Sequence, residues 1–334
     1  MDVLLDFGAR FVHQLQSPTL AFLLGGILIA SLGSRLTIPD SIYKFIVFML
    51  LLKVGLKGGM AIGEADIGAM LLPAFFAVVV GCLSVIIGRY TLALLPGIRT
   101  EDGIATAGLF GAVSGSTLAA GTVVLESEGI GYEPWAVALY PFMDIPALVL
   151  AIVLASVYLK KKDGSGEKVA IWPIVKESLQ GSALSALLLG IALGLFTNPE
   201  RVFDTFYEPL FRGLLSVLML IMGIEAYARL NELRRVAHWF AVYAAVAPLL
   251  NGLIAFGLGY IAHVLTGFSP GGVVLLAIIA GSSSDISGPP TLRAGIPTAN
   301  PSSYIGASTS IGTPVAIAIG IPLYIGLAQL VFGT

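Results

Sequence analysis

The sequence predicts an all-α polytopic membrane protein, with ten transmembrane helices in two inverted five-helix repeats and with broken fourth and ninth helices. Three observations carry that prediction: composition, the spacing of apolar segments, and an internal likeness at a nearly constant offset. Of 334 residues, 57% are hydrophobic and 11% are charged, against about 25% charged in soluble domains. That leaves too little polar surface for a water-facing globule of this length. A net charge of -2 without any basic block excludes nucleic acid as an expected partner. Cys82 is the only cysteine, so an internal disulfide is impossible and a zinc site is not expected. The scattered His13, His238 and His263 read as interfacial or packing residues rather than ligands.

Residues 1–16 carry Asp2 and Asp6 where a signal peptide would be basic, and they suggest a short interfacial helix with Leu4, Phe7, Phe11 and Leu15 on one side. A span needs about 20 mostly apolar residues. In the first half Ser17–Gly33, Ser41–Met60, Ile67–Leu95, Gly103–Leu125 and Pro134–Leu159 qualify. In the second half Ser178–Phe196, Thr205–Glu225, Val236–Val264, Gly271–Pro289 and Ser302–Gly333 follow. The hydrophilic stretch 160–170 therefore links a first repeat, 1–159, to a second, 171–334. Trp135, Trp172 and Trp239 near span ends read as interfacial anchors, Lys57 as an interfacial lysine, and Lys53 as a snorkelling lysine or the partner of a carboxylate such as Asp144.

Alternate loops hold most of the basic residues: Arg35, Arg89 with Arg99, Lys160 to Lys162 with Lys168, Arg229 with Arg234 and Arg235, and Arg293. The positive-inside rule places these in the cytoplasm and both termini on the non-cytoplasmic side of the cell membrane. An odd number of spans per half turns the second half upside down relative to the first. Leu51–Leu56 aligns with Met219–Ile224 at an offset of 168, Gly108–Thr117 with Ala277–Ile286 at 169, and Pro146 with Pro314 at 168.

The fourth and ninth spans are thereby partners, each interrupted by small hydroxyl residues. In the ninth, the run Ala280–Ser287, six small residues with an acid and an isoleucine among them, precedes Gly288-Pro289-Pro290, and the prolines are expected to close the segment. Broken backbone is tolerated in hydrocarbon only where it is buried in protein or lines a cavity. A carboxylate there costs at least roughly 2.5–3.5 kcal/mol on insertion scales. Half-helix amino termini bind anions, whereas carbonyls and carboxylates bind cations. Phe110, Gly111, Ser114, Gly115, Ser116, Thr117, Ser283 and Ser284 are thus the candidate solute-binding residues, and Asp285, Ser282, Ser287 and Asp144 the candidate ligands of a cation. Close helix packing explains Gly111–Thr117 equally well when that segment is taken alone. Asp144 equally fits a structural role, satisfying amides freed near Pro146. Neither break holds an arginine or lysine, which speaks against a clamp for phosphate or a dicarboxylate. No ATP-binding motif is present, because Gly164–Lys168 is too short for a P-loop. A catalytic function is not expected, since no histidine or cysteine lies near either break.

The strings SSSDISGPPTLRAGIP (282–297), YIGASTSIGTPVA (304–316), PLFRGLL (209–215) and IWPIVKESLQG (171–181) resemble the cyanobacterial sodium-dependent bicarbonate transporter family. The likeness runs nearly end to end. It implies a homotrimer in which a core domain moves against a gate domain. It also implies sodium-driven symport of bicarbonate for inorganic carbon concentration, with sodium as coupling ion and no other cofactor, and a cytoplasmic PII-like regulatory protein as partner. The loop at 160–170 is much shorter than the family's polar loop, so regulation through that loop is not carried over. A carrier of another small anion and an anion channel are the alternatives; competition and sodium dependence separate them.

Overall fold

A computed structural model describes residues 18–63, 66–163, 171–233, 238–285 and 288–333. The segment 1–16, most of the linker 160–170, Ile286 and the candidate ligand Ser287 lie outside them. The described residues are helical and form no strand. Seven helices are long and apolar enough to cross a membrane, and three shorter apolar helices, Ala21–Ser31, Leu184–Phe196 and Pro270–Ala280, accompany them. Each overlaps one of the apolar segments of the sequence, most of them with ends shifted by a few residues. The chain is a membrane protein.

In order, α1 is Pro18–Ser31, α2 Asp40–Ile62, α3 Ile67–Tyr90, α4 Thr100–Gly111, α5 Gly115–Ser127 and α6 Leu139–Asp163. The second half gives α7 Ile171–Gln180, α8 Ser182–Phe196, α9 Glu208–Leu233, α10 His238–Thr266, α11 Pro270–Ala280 and α12 Gly288–Gly295. The last segment starts as α13, Pro301–Ala307, passes through π-helical turns at Ser308–Gly312 and Ala316–Gly320, and ends as α14, Ile321–Phe332.

These helices sort into two bundles. In the first, α1 packs on α9 and α2 on α8; in the second, α3 packs on α4 and α6, α10 on α3 and α11, and α11 on α14. Glycines make the contacts of the first bundle possible. A Cβ at Gly26 would collide with the Leu220 carbonyl, and one at Gly223 with the Leu23 carbonyl. Gly55 and Gly59 meet Gly190 and Gly194 across α2 and α8 in the same way, so both crossings are backbone to backbone. Gly55 and Gly223, 168 residues apart, each sit at such a crossing.

Several expectations need correction. The prolines after Gly288 do not close the ninth segment. They open α12, because residues of a helix's first turn have no intrahelical partner for an amide and proline's fixed φ suits that turn. Trp135 is buried and stacks on Phe268, 5.6 Å between ring centres, so it is a core residue rather than an anchor. Trp172 is exposed, as an anchor would be. Lys53 pairs with Glu208 at 2.9 Å and lies 3.9 Å from Glu126, not with Asp144. It is 2% exposed and sits 4.0 Å above the Phe211 ring. Lys57 also bonds Glu126, so this lysine too is paired.

Candidate functional site

Both interrupted helices are present where the sequence placed them, and their breaks are stitched together. The chain leaves helix at Ala112 and re-enters it at Gly115; further along it leaves after Ala280 and re-enters at Gly288. A broken helix strands carbonyls at one end and amides at the other, and each must find a partner out of water. The Leu109 carbonyl accepts from the Ser284 amide at 2.9 Å, and the Phe110 carbonyl accepts from Asn251 Nδ2 at 3.1 Å. The Val113 amide donates to Asp144 Oδ1 at 2.9 Å, and the Ser114 amide to Ser282 Oγ at 3.0 Å. Ser114 Oγ caps α5 by accepting from the Thr117 amide at 3.2 Å, and Ser284 Oγ accepts from the Gly288 amide at 2.8 Å at the start of α12.

Asp285 stands apart from these stitches. Its Oδ2 accepts from Ser116 Oγ at 2.9 Å, in the first turn of α5, and from the Tyr43 hydroxyl at 3.0 Å, on α2. Ser116 Oγ in turn lies 2.8 Å from Ser114 Oγ. The carboxylate is half-buried and borders a cavity of about 640 Å³ that Tyr43, Lys44, Gln180, Glu225 and Arg293 also line. Lys44 is held 2.5 Å from Asp40 at the same rim. The breaks themselves hold no basic residue, yet Lys44 and Arg293 stand on the approach to them.

The other candidates divide by environment. Ser282 Oγ is engaged twice, donating to the Ile279 carbonyl at 2.6 Å and accepting from Ser114. Ser283 Oγ lies 2.9 Å from Ser308 Oγ, which also donates to the Ser284 carbonyl at 3.2 Å. Gly111 faces the Gly81 carbonyl and Val85, and Gly115 faces the Leu51 side chain, so both glycines sit at helix contacts. Phe110 is buried edge-on to Tyr243, 5.3 Å between ring centres. Asp144 is fully buried. It satisfies an amide freed by the fourth-span break rather than by Pro146, and its Oδ2 has no hydrogen-bond partner among the described residues. Thr117 Oγ1 is likewise buried and unpartnered among them.

Sequence reasoning missed Tyr43, Asn251 and Ser308. A tyrosine in the first turn of a span reads as an interfacial aromatic, and nothing local ties it to an acid 242 positions away. Ser308 carried a signal, since it lies in a Gly/Ser/Thr-rich run like that of the breaks. Among the described residues no cluster of three or more histidine, cysteine or acidic side chains could hold a metal ion. Hydroxyls, carbonyls and one carboxylate are hard oxygen donors, which suit an alkali cation.

Comparison with curated proteins found no match to the chain. A family model for the Na+-dependent bicarbonate transporter superfamily matches residues 18–329, almost the whole of the chain and all four strings that carried the resemblance. With two broken helices bonded to each other and an acid exposed to a cavity beside them, the chain belongs to the Na+-dependent bicarbonate transporter superfamily.

Proposed function

We propose that the chain is a sodium–bicarbonate symporter of the cell membrane, bringing bicarbonate inward by alternating access for inorganic carbon concentration. One observation carries the reading: the Asp285 carboxylate, bordering the cavity, is bonded to the first turn of α5. An amino-terminal turn attracts an anion, and an ionised carboxylate beside it repels one. Sodium on Asp285 removes that repulsion. Cation and anion then bind together or not at all, and that is what couples their movement. Ser114, Ser116 and Thr117 would serve bicarbonate, and Asp285 would serve sodium. Asp144 Oδ2 is a second oxygen for the cation.

The wider reading is ten spans in inverted repeats, with α1, α2, α8 and α9 as the gate and the other bundle as the core. The two breaks at an offset of 169 support it, as do the glycine crossings at 168. The cavity opens beside Lys44, Gln180 and Arg293, the side that charge asymmetry assigns to the cytoplasm. The arrangement is therefore inward-open. A homotrimer and a PII-like regulator belong to the same reading and rest on the family resemblance alone.

Isotopic bicarbonate uptake into proteoliposomes, with and without an inward sodium gradient, tests the proposal. Uptake above the protein-free background only with sodium is expected. Sodium-independent conductance would make it a channel, and preferential competition by a short monocarboxylate would reassign the anion.

A further inference from the structure

We propose that Tyr43 is a positioning residue that weakens cation binding at Asp285 in this inward-open arrangement and so promotes release of sodium on this side. The inference rests on Asp285 being the sodium ligand, as argued above.

The two hydroxyls on Asp285 Oδ2 come from different bundles. Ser116 lies on α5, which packs on α11 of the second bundle, the helix that leads into the break carrying the acid, and its bond to Ser114 Oγ keeps it there. Tyr43 belongs to α2, which packs chiefly on α8, and it reaches across to an acid of the other bundle. A carboxylate oxygen has two lone-pair directions. Oδ2 fills both with donors from Tyr43 and Ser116, so a cation binding there must displace one of them. A hydrogen bond to an ionised carboxylate is stronger than a neutral one, and the Tyr43 side chain that makes this one, at 3.0 Å, is buried.

Movement of one bundle past the other removes Tyr43 from Asp285 and leaves Ser116 in place. Oδ2 then gains a free lone pair beside those of Oδ1, so the carboxylate can offer both oxygens to sodium and binds it more tightly in the alternate arrangement than in this one. A ligand shifts a conformational equilibrium only by its differential affinity for the two states, and the effect is reciprocal. Sodium therefore favours departure from the inward-open arrangement, and return to it expels sodium.

The test is sodium binding, by scintillation proximity with labelled sodium, to purified full-length protein in nanodiscs. Wild type, Tyr43→Phe, Asp285→Asn and the double variant are compared. Tyr43→Phe is expected to lower the half-saturating sodium concentration roughly ten-fold, the scale of one hydrogen bond to a charged group. Asp285→Asn is expected to abolish binding, and Tyr43→Phe should change nothing further on that background, because Tyr43 acts through the carboxylate. An unchanged or raised half-saturation in Tyr43→Phe overturns the proposal; a raised value would make the hydroxyl a ligand. Full sodium binding by Asp285→Asn overturns this proposal and the site reading together. Loss of binding in Asp285→Asn with no shift in Tyr43→Phe overturns this one alone. Tyr43→Met, which keeps apolar bulk without a donor, should match Tyr43→Phe and replaces it if that variant fails to fold.

Discussion

Asp285 is the one acid within the interruptions of the two broken helices, and it touches both Ser116 and Tyr43. Asp285→Asn keeps the shape and an acceptor oxygen but removes the charge that holds a cation. Sodium-stimulated uptake is expected to disappear at matched surface expression, and an initial rate that no longer depends on sodium is the measurement. Unchanged sodium dependence would move the ion to Asp144. For Gly115 the sequence offered both a place beside the solute and close helix packing, and the position of its absent Cβ lies 2.7 Å from Leu51 Cδ1 on α2. Gly115→Val is expected to abolish uptake by driving α2 and α5 apart, and Leu51→Ala added to it is expected to restore part of the rate. No restoration would return Gly115 to the solute. Charge and small-residue clustering made Asp285 and the serines legible in the sequence. Tyr43 and Leu51 were not, because their roles come from which helix the fold lays against the break.

Among the elements, the broken helices were legible because glycine, serine and proline in an apolar run leave few alternatives. Their ends were harder. Pro289 and Pro290 signal that a helix cannot contain them in its interior, but that constraint is met equally by ending one helix or starting another. The π-helical turns at Ser308–Gly312 and Ala316–Gly320 left no trace in composition. The crossing of α1 and α9 can be tested directly. A Cβ at Gly26 meets backbone atoms of Leu220, Gly223 and Ile224, whereas one at Gly25 meets nothing within 4 Å. Overpacking costs typically about 1–3 kcal/mol, and backbone offers less relief than a side chain. Gly26→Leu is therefore expected to lower the thermal unfolding midpoint in detergent by several degrees, and Gly25→Leu to leave it nearly unchanged. Equal effects of the two would mean that helix propensity, not the crossing, sets the loss.

At the scale of the whole molecule, the sequence carried the number of apolar segments and the repeat offset, but not which bundle each helix joins. That depends on glycine-to-glycine contacts such as Gly55 with Gly190, visible only once the helices are placed. Towards the opposite end of α2 from Tyr43, Lys57 pairs with Glu126, 3.9 Å from which lies Lys53, and between the two ends Leu51 seats against Gly115. One bundle thus contacts the other along the length of α2, and the cavity beside Asp285 lies at the Lys44 end. If transport needs these bundles to move past each other, fixing them at the middle of that contact must stop it. Leu51→Cys with Gly115→Cys, in a protein whose single native thiol is removed by Cys82→Ala, places two thiols at this point. Oxidation or a short bifunctional reagent is expected to abolish bicarbonate uptake, and reduction of the disulfide to restore it. The Leu51→Cys single variant, which adds no side chain at Gly115, should be indifferent to the same treatment. Full uptake by the cross-linked protein would show that the solute crosses without relative movement of the bundles, and alternating access would have to give way to a channel.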